Sequence, residues 1–112
     1  MKLVPSGIGS QDQFGYAVTI SGSVIAVGAK ENTTGTVHIF YKDLGGLNMW
    51  DEHQVLMPGT LSSGDEFGYS LDLRDTVLAV GAPGDDVNAG SDVGSAYIFY
   101  RDNDNWLSLI HI

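Results

Sequence analysis

The residues best equipped for chemistry sit in one acidic loop, Gly84-Asp85-Asp86-Val87-Asn88-Ala89-Gly90-Ser91-Asp92. Asp86, Asn88 and Asp92 are spaced at even intervals with Gly90 among them. Calcium loops use such a rhythm of oxygen ligands, with a glycine at the sharp turn. Asp85, Asp86, Asn88 and Asp92 are therefore the calcium candidates. The loop lacks a terminal bidentate Glu, and a solvated acidic turn, in which Asp, Asn and Gly serve local backbone geometry, accounts for the same residues. Other chemistry finds little support. His38, His53 and His111 show neither metal spacing nor an HExxH pattern, and no serine sits in a nucleophile elbow. No catalytic residue is assigned, no ligand-binding residue is identified, and calcium is the one cofactor considered. Asp12 and Asp65 read as side-chain caps on turns. Trp50 and Trp106 can stack on a sugar or peptide, but a structural place on an outer strand is the preferred reading.

Composition narrows the partners. Five basic residues against fourteen acidic ones give a net charge of −9. Phosphate recognition needs clustered Lys and Arg, so nucleic acid is not expected as a partner, nor is an anionic membrane surface. Cysteine is absent, which excludes a disulfide framework and a thiolate zinc site. Residues 1–7 contain no apolar signal-peptide core. No segment approaches the roughly 18 apolar residues of a membrane span, so membrane insertion is not expected.

The elements that position these residues come in two copies. Asp12-Gln13-Phe14-Gly15-Tyr16 recurs as Asp65-Glu66-Phe67-Gly68-Tyr69, and Val24-Ile25-Ala26-Val27-Gly28-Ala29 recurs as Val77-Leu78-Ala79-Val80-Gly81-Ala82, both at an offset of 53. Thr36 to Asp43 matches Ser95 to Asp102 at an offset of 59, so the second copy carries six extra residues in the acidic loop. Trp50 matches Trp106. Strand-like units at a period near 50 indicate a propeller or a comparable array.

Each copy reads as four strands. The first is Gly15 to Ile20 (copy Gly68 to Leu73), with Tyr16, Val18 and Ile20 on one face. Ser21-Gly22 and Arg74-Asp75 read as two-residue hairpin turns. The second strand, Val24 to Ala29 (copy Val77 to Ala82), is apolar on both faces and must be covered on both. The third is Thr36 to Tyr41 (copy Ser95 to Tyr100). The fourth runs from Trp50 to before Pro58 and is polar, as suits an edge strand. The expected fold is all-β: two antiparallel four-stranded blades, a fragment of a β-propeller. Residues 1–5 are expected as the last strand of a preceding blade, 6–58 as one blade and 59–112 as an incomplete second.

Phe14-Gly15 with Gly28-Ala29-Lys30, and Phe67-Gly68 with Gly81-Ala82-Pro83, resemble FG-GAP repeats, the blades of the integrin alpha-chain propeller and of many surface proteins. Lys30 departs from the pattern. The resemblance implies a propeller of seven blades when complete. Integrin-type repeats carry a calcium loop between the FG and GAP strands, whereas here that connection is too short, as in the microbial branch of the family. The resemblance also implies a non-catalytic binding module of a surface or secreted protein, extracellular or at the cell surface, acting in adhesion or protein–protein contact. Its partners would be further blades of the same protein and a protein or glycan ligand. The alternatives are the propeller portion of an extracellular hydrolase and a purely structural scaffold.

Two blades leave an apolar face open at each end, so the isolated chain is expected to be marginal or to self-associate. Leu107-Ser108-Leu109-Ile110-His111-Ile112 departs from its counterpart after Trp50. It is also what a transposase adapter used in library preparation encodes, so 107–112 is suspected to be an adapter read-through.

Overall fold

The structure, a computed structural model, describes residues 2–9, 11–31, 34–42, 49–59, 61–85 and 94–111. Among these, eight strands and no helix form. They are β1 (Phe14–Ser21), β2 (Val24–Ala29), β3 (Thr36–Lys42) and β4 (Trp50–Leu56), then β5 (Ser70–Arg74), β6 (Val77–Ala82), β7 (Ser95–Asp102) and β8 (Asn105–His111). Two four-stranded antiparallel sheets result, in the orders β1-β2-β3-β4 and β5-β6-β7-β8. The all-β, two-blade expectation holds. Every connection within a blade joins neighbouring strands, so each blade is a meander set by its own turns.

Register decides which residues share a face, because partners directly opposite point the same way. Thr19, Ala26 and Ile39 lie in one row across β1, β2 and β3, and Val18, Val27 and His38 lie in the adjacent row on the other face. The first row faces the second blade. Val24, Ala26, Val37, Ile39 and Leu56 of blade one meet Phe67, Leu73, Leu78, Val80, Phe99 and Trp106 of blade two in one buried cluster. Burying each such aliphatic or aromatic side chain contributes about 1.5–3 kcal/mol. The blades stack with like edges aligned, β1 against β5 and β4 against β8.

Several boundaries differ from the sequence reading. The hairpin loops are Gly22-Ser23 and Asp75-Thr76, one residue later than read, because Ser21 pairs with Val24 and Arg74 with Val77. The first loop residue takes the positive φ, 56° at Gly22 and 51° at Asp75, which matches the right-handed twist of the strands. β5 begins at Ser70 rather than Gly68, since the N–H groups of Gly68 and Tyr69 share one acceptor, the Gly81 carbonyl. Residues 2–5 pair with no strand among the described residues. β6 is apolar on both faces, but only Leu78, Val80 and Ala82 are buried, and Val77 is exposed. The outward face of β1 is likewise open at Tyr16, Val18 and Ile20. β8 pairs with β7 from Asn105 to His111, so the second blade has four strands, including most of 107–112.

Candidate binding site

Both blades enter their first strand through the same turn. The N–H of Asp12 donates to the Gly9 carbonyl, and the Gly9 N–H donates back to Asp12 Oδ2 at 2.6 Å. Asp65 repeats this with Ser62, again at 2.6 Å to its carboxylate. Asp12 and Asp65 are thus turn caps, as read. The next residue adopts the left-handed conformation, Gln13 at φ 61° and Glu66 at φ 60°. That inversion sends Phe14 and Phe67 toward β3 and β7 of their own blades. Phe67 meets Tyr97 and Phe99 edge-on, and Phe14 meets His38 and Phe40 in the same way.

Three glycines, Gly28, Gly35 and Gly68, serve close approach between the blades. A Cβ on Gly28 would collide with the Gly68 carbonyl, and one on Gly68 would lie 2.8 Å from the Thr36 carbonyl oxygen and 3.3 Å from the Gly28 Cα. Gly35 is pressed equally hard on the Phe67 backbone. Ala29 and Ala82 are fully buried behind these contacts, while Pro83 is exposed. The Phe67 N–H donates to the Thr34 carbonyl, a backbone tie between the blades.

A scan of protein-family models matches the FG-GAP repeat over residues 1–40 and 50–99. The chain belongs to the FG-GAP repeat family. No curated protein matches it. The signature of the family therefore has a direct physical meaning in this chain: the FG glycine of one blade docks on the GAP glycine of the blade before it.

The tyrosines after the two FG pairs form the exposed feature at this FG-GAP junction. Tyr16 and Tyr69 lie 5.1 Å apart between ring centroids, and both are exposed. A hydrogen bond with Tyr69, followed by burial, pushes the Tyr16 phenol up. Lys30, which stands where the second repeat has Pro83, places its Nζ 4.6 Å from the Tyr16 ring centroid and 5.6 Å from that of Tyr69. The same ammonium pairs with Glu31 at 2.8 Å and Glu66 at 3.3 Å. The Glu31 hydrogen bond outweighs desolvation and holds the lysine pKa above its ordinary value, and Lys30 in turn lowers that of Glu31. The departure at Lys30 is thus a cation seated between two blades, joining an acidic residue from each. Its sequence signal was the broken GAP motif, but Glu66 as its partner was not legible without the stacking.

A second polar cluster closes the outer edge. Gln54 donates to the Trp106 carbonyl at 3.0 Å and accepts from the Trp106 N–H at 2.8 Å. Trp106 Nε1 donates to the Tyr41 hydroxyl at 3.0 Å, which donates to the Asp104 carbonyl at 2.6 Å. Burial pushes the Tyr41 phenol up. Arg101 lies 4.7 Å from the Tyr41 ring, and His53 stacks on Tyr41 at 4.5 Å. Trp106 is buried, which removes it as a sugar platform; Trp50 is half-buried.

Of the calcium candidates, Asp85 alone is among the described residues. Asp86, Asn88 and Asp92 lie outside the described residues. Asp85 is buried and accepts the Tyr97 hydroxyl at 2.9 Å, while its carbonyl accepts the Gly94 N–H at 2.9 Å. Its carboxylate anchors the loop base on β7. Among the described residues no three His, Cys, Asp or Glu side chains converge as metal ligands do. His38 is buried, its Nδ1 2.8 Å from Glu52 and its Nε2 3.0 Å from the Thr36 hydroxyl. Glu52 also accepts from the Ser6 backbone and hydroxyl. Burial raises the Glu52 pKa, but the Ser6 and His38 hydrogen bonds prevail and hold it low.

Proposed function

We propose that this chain is a non-catalytic binding module of a surface or secreted protein, one that engages a protein partner. The observation that carries the reading is the paired Tyr16 and Tyr69, exposed side by side, with the Lys30 ammonium 4.6 Å and 5.6 Å from their ring centroids. Tyrosine combines a large apolar face with a polar tip at small conformational cost, which is why it is common at the centres of protein interfaces. Glu31 and Glu66 hold the Lys30 ammonium against the two rings, so a partner meets a preorganised aromatic surface. In the complete propeller, further blades of the same protein flank this pair.

The test is binding of the chain to an array of extracellular-matrix proteins and glycans, beside the Tyr16→Ala/Tyr69→Ala variant. Capture of a protein that falls at least about tenfold in the variant is expected, as for a lost aromatic hot spot. Equal capture by both forms would place binding elsewhere. A purely structural scaffold is the second reading, favoured by one observation: the motif residues Phe67, Gly28 and Gly68 are all consumed in stacking.

A further inference from the structure

We propose that Asp51 and His53 form a site for a divalent metal ion of the zinc type, at the outer edge of the junction between the blades. Two buried side-chain atoms have no hydrogen-bond partner among the described residues, Asp51 Oδ2 and His53 Nε2. Buried polar atoms are nearly always paired, so each exception needs a physical account. Both residues lie on β4, two positions apart, and both gather at Tyr41. Asp51 stands directly opposite Tyr41 in the ladder, which sets the two Cβ atoms about 4.5–5.5 Å apart. The His53 ring stacks on the Tyr41 ring, 4.5 Å between centroids and 12° from parallel.

Register explains why His53 turns this way. The ladder pairs Ile39 with Gln54 and Phe40 with Glu52, so His53 is the extra residue of a bulge. Bulges re-aim a side chain. This one brings His53 to the face that Asp51 shares with Gln54, which is tied to Trp106 of blade two. Glu52 lies on the other face, engaged by His38 and Ser6. The donor set selects the ion. An imidazole nitrogen with a carboxylate oxygen suits zinc and its neighbours, whereas calcium takes about six to eight oxygens. No hydrogen bond joins Nε2 to Oδ2, as expected of two lone pairs and not of a proton donor beside a carboxylate. Arg101, 4.7 Å from the Tyr41 ring, donates to the Asn103 carbonyl and to Asp104, and leaves Oδ2 unpaired. The net charge of −9 favours a cation. Two protein ligands leave the remaining coordination positions to water.

Calorimetric titration of zinc chloride into the full 112-residue chain tests this, beside Asp51→Asn and His53→Gln. The wild type is expected to bind zinc with a Kd of about 100 µM or tighter. Each variant is expected to bind at least about tenfold more weakly, since even partners outside the coordination shell change metal affinity by about 10–100-fold. Circular dichroism checks that the variants keep their β-sheet. NMR of the wild-type histidine rings decides without any variant. The His53 ring signals are expected to shift with zinc, while those of His38, whose two nitrogens are held by Glu52 and Thr36, stay in place. A wild type that binds no zinc up to about 1 mM would overturn the proposal and leave the two atoms to a water. A His53 ring that zinc does not move, or folded variants that bind as tightly as the wild type, would overturn it as well.

Discussion

Gly28 and Gly68 meet backbone to backbone across the two blades, with room for no side chain on either. Gly68 also sits at φ +95°, a conformation that L side chains rarely adopt. The contact sets the distance at which β1 and β2 of one blade approach β5 of the next, and so the depth to which Phe67 is buried.

Gly28→Ala is expected to destabilise the chain by about 1–3 kcal/mol, the usual cost of overpacking a tight contact. Gly81→Ala meets only the Ser70 hydroxyl, a side chain that can rotate away. It is expected to cost less than about 1 kcal/mol. Urea melts of the two variants check the difference; equal losses would show that the inter-blade contact is not what limits Gly28.

Gln54→Leu removes both hydrogen bonds to the Trp106 backbone while keeping side-chain volume. It strands a buried backbone pair, at a cost of about 1–3 kcal/mol. The loss should appear in hydrogen exchange as faster exchange at the Trp106 amide. An unchanged Trp106 amide would mean that water replaces Gln54.

Asp85→Ala is expected to lower stability by about 1–3 kcal/mol by leaving the Tyr97 hydroxyl without this acceptor. The loss should be the same in calcium and in chelator, because the Asp85 carboxylate is engaged by protein. Thermal melts under both conditions decide; a loss confined to calcium would make Asp85 a ligand after all.

Glu52 is held below its ordinary pKa of about 4.5 in the folded chain. A lowered folded-state pKa gives stability that is present above the unfolded value and lost as pH falls through the folded one. Stability is therefore expected to drop from about pH 5 downward, and Glu52→Gln should flatten that acid limb while lowering stability at neutral pH. Denaturant melts across this range check it; an unchanged acid limb would assign the titration to other carboxylates.

Lys30→Pro restores the GAP pattern of the second repeat but removes the contact between Glu31, Glu66 and the tyrosine pair. Both carboxylates of these ion pairs stay open to water, Glu31 at 44% and Glu66 at 31% exposed, so the pairs are screened and stability should change by less than about 1 kcal/mol. The Tyr16 and Tyr69 ring signals should broaden or shift in NMR. Unaltered ring signals would show that Lys30 does not hold the pair.

The sequence by itself determined the blade. Period-2 strands, two-residue turns and two copies in register leave one local solution, because hairpins form from neighbours in the chain and each strand carries its own pattern. It also identified Asp12 and Asp65 as caps, since a side chain that bonds three residues away is a local event. What only the tertiary structure decided lies between the blades. Nothing near Lys30 in sequence indicates Glu66, and nothing near Gln54 indicates the Trp106 backbone. Those partners are 36 and 52 residues away, and they meet only when one sheet lies on the other. The exposures of Ile20 and Leu73 separate for the same reason. The two positions have the same local pattern, but one has a blade against it and the other does not.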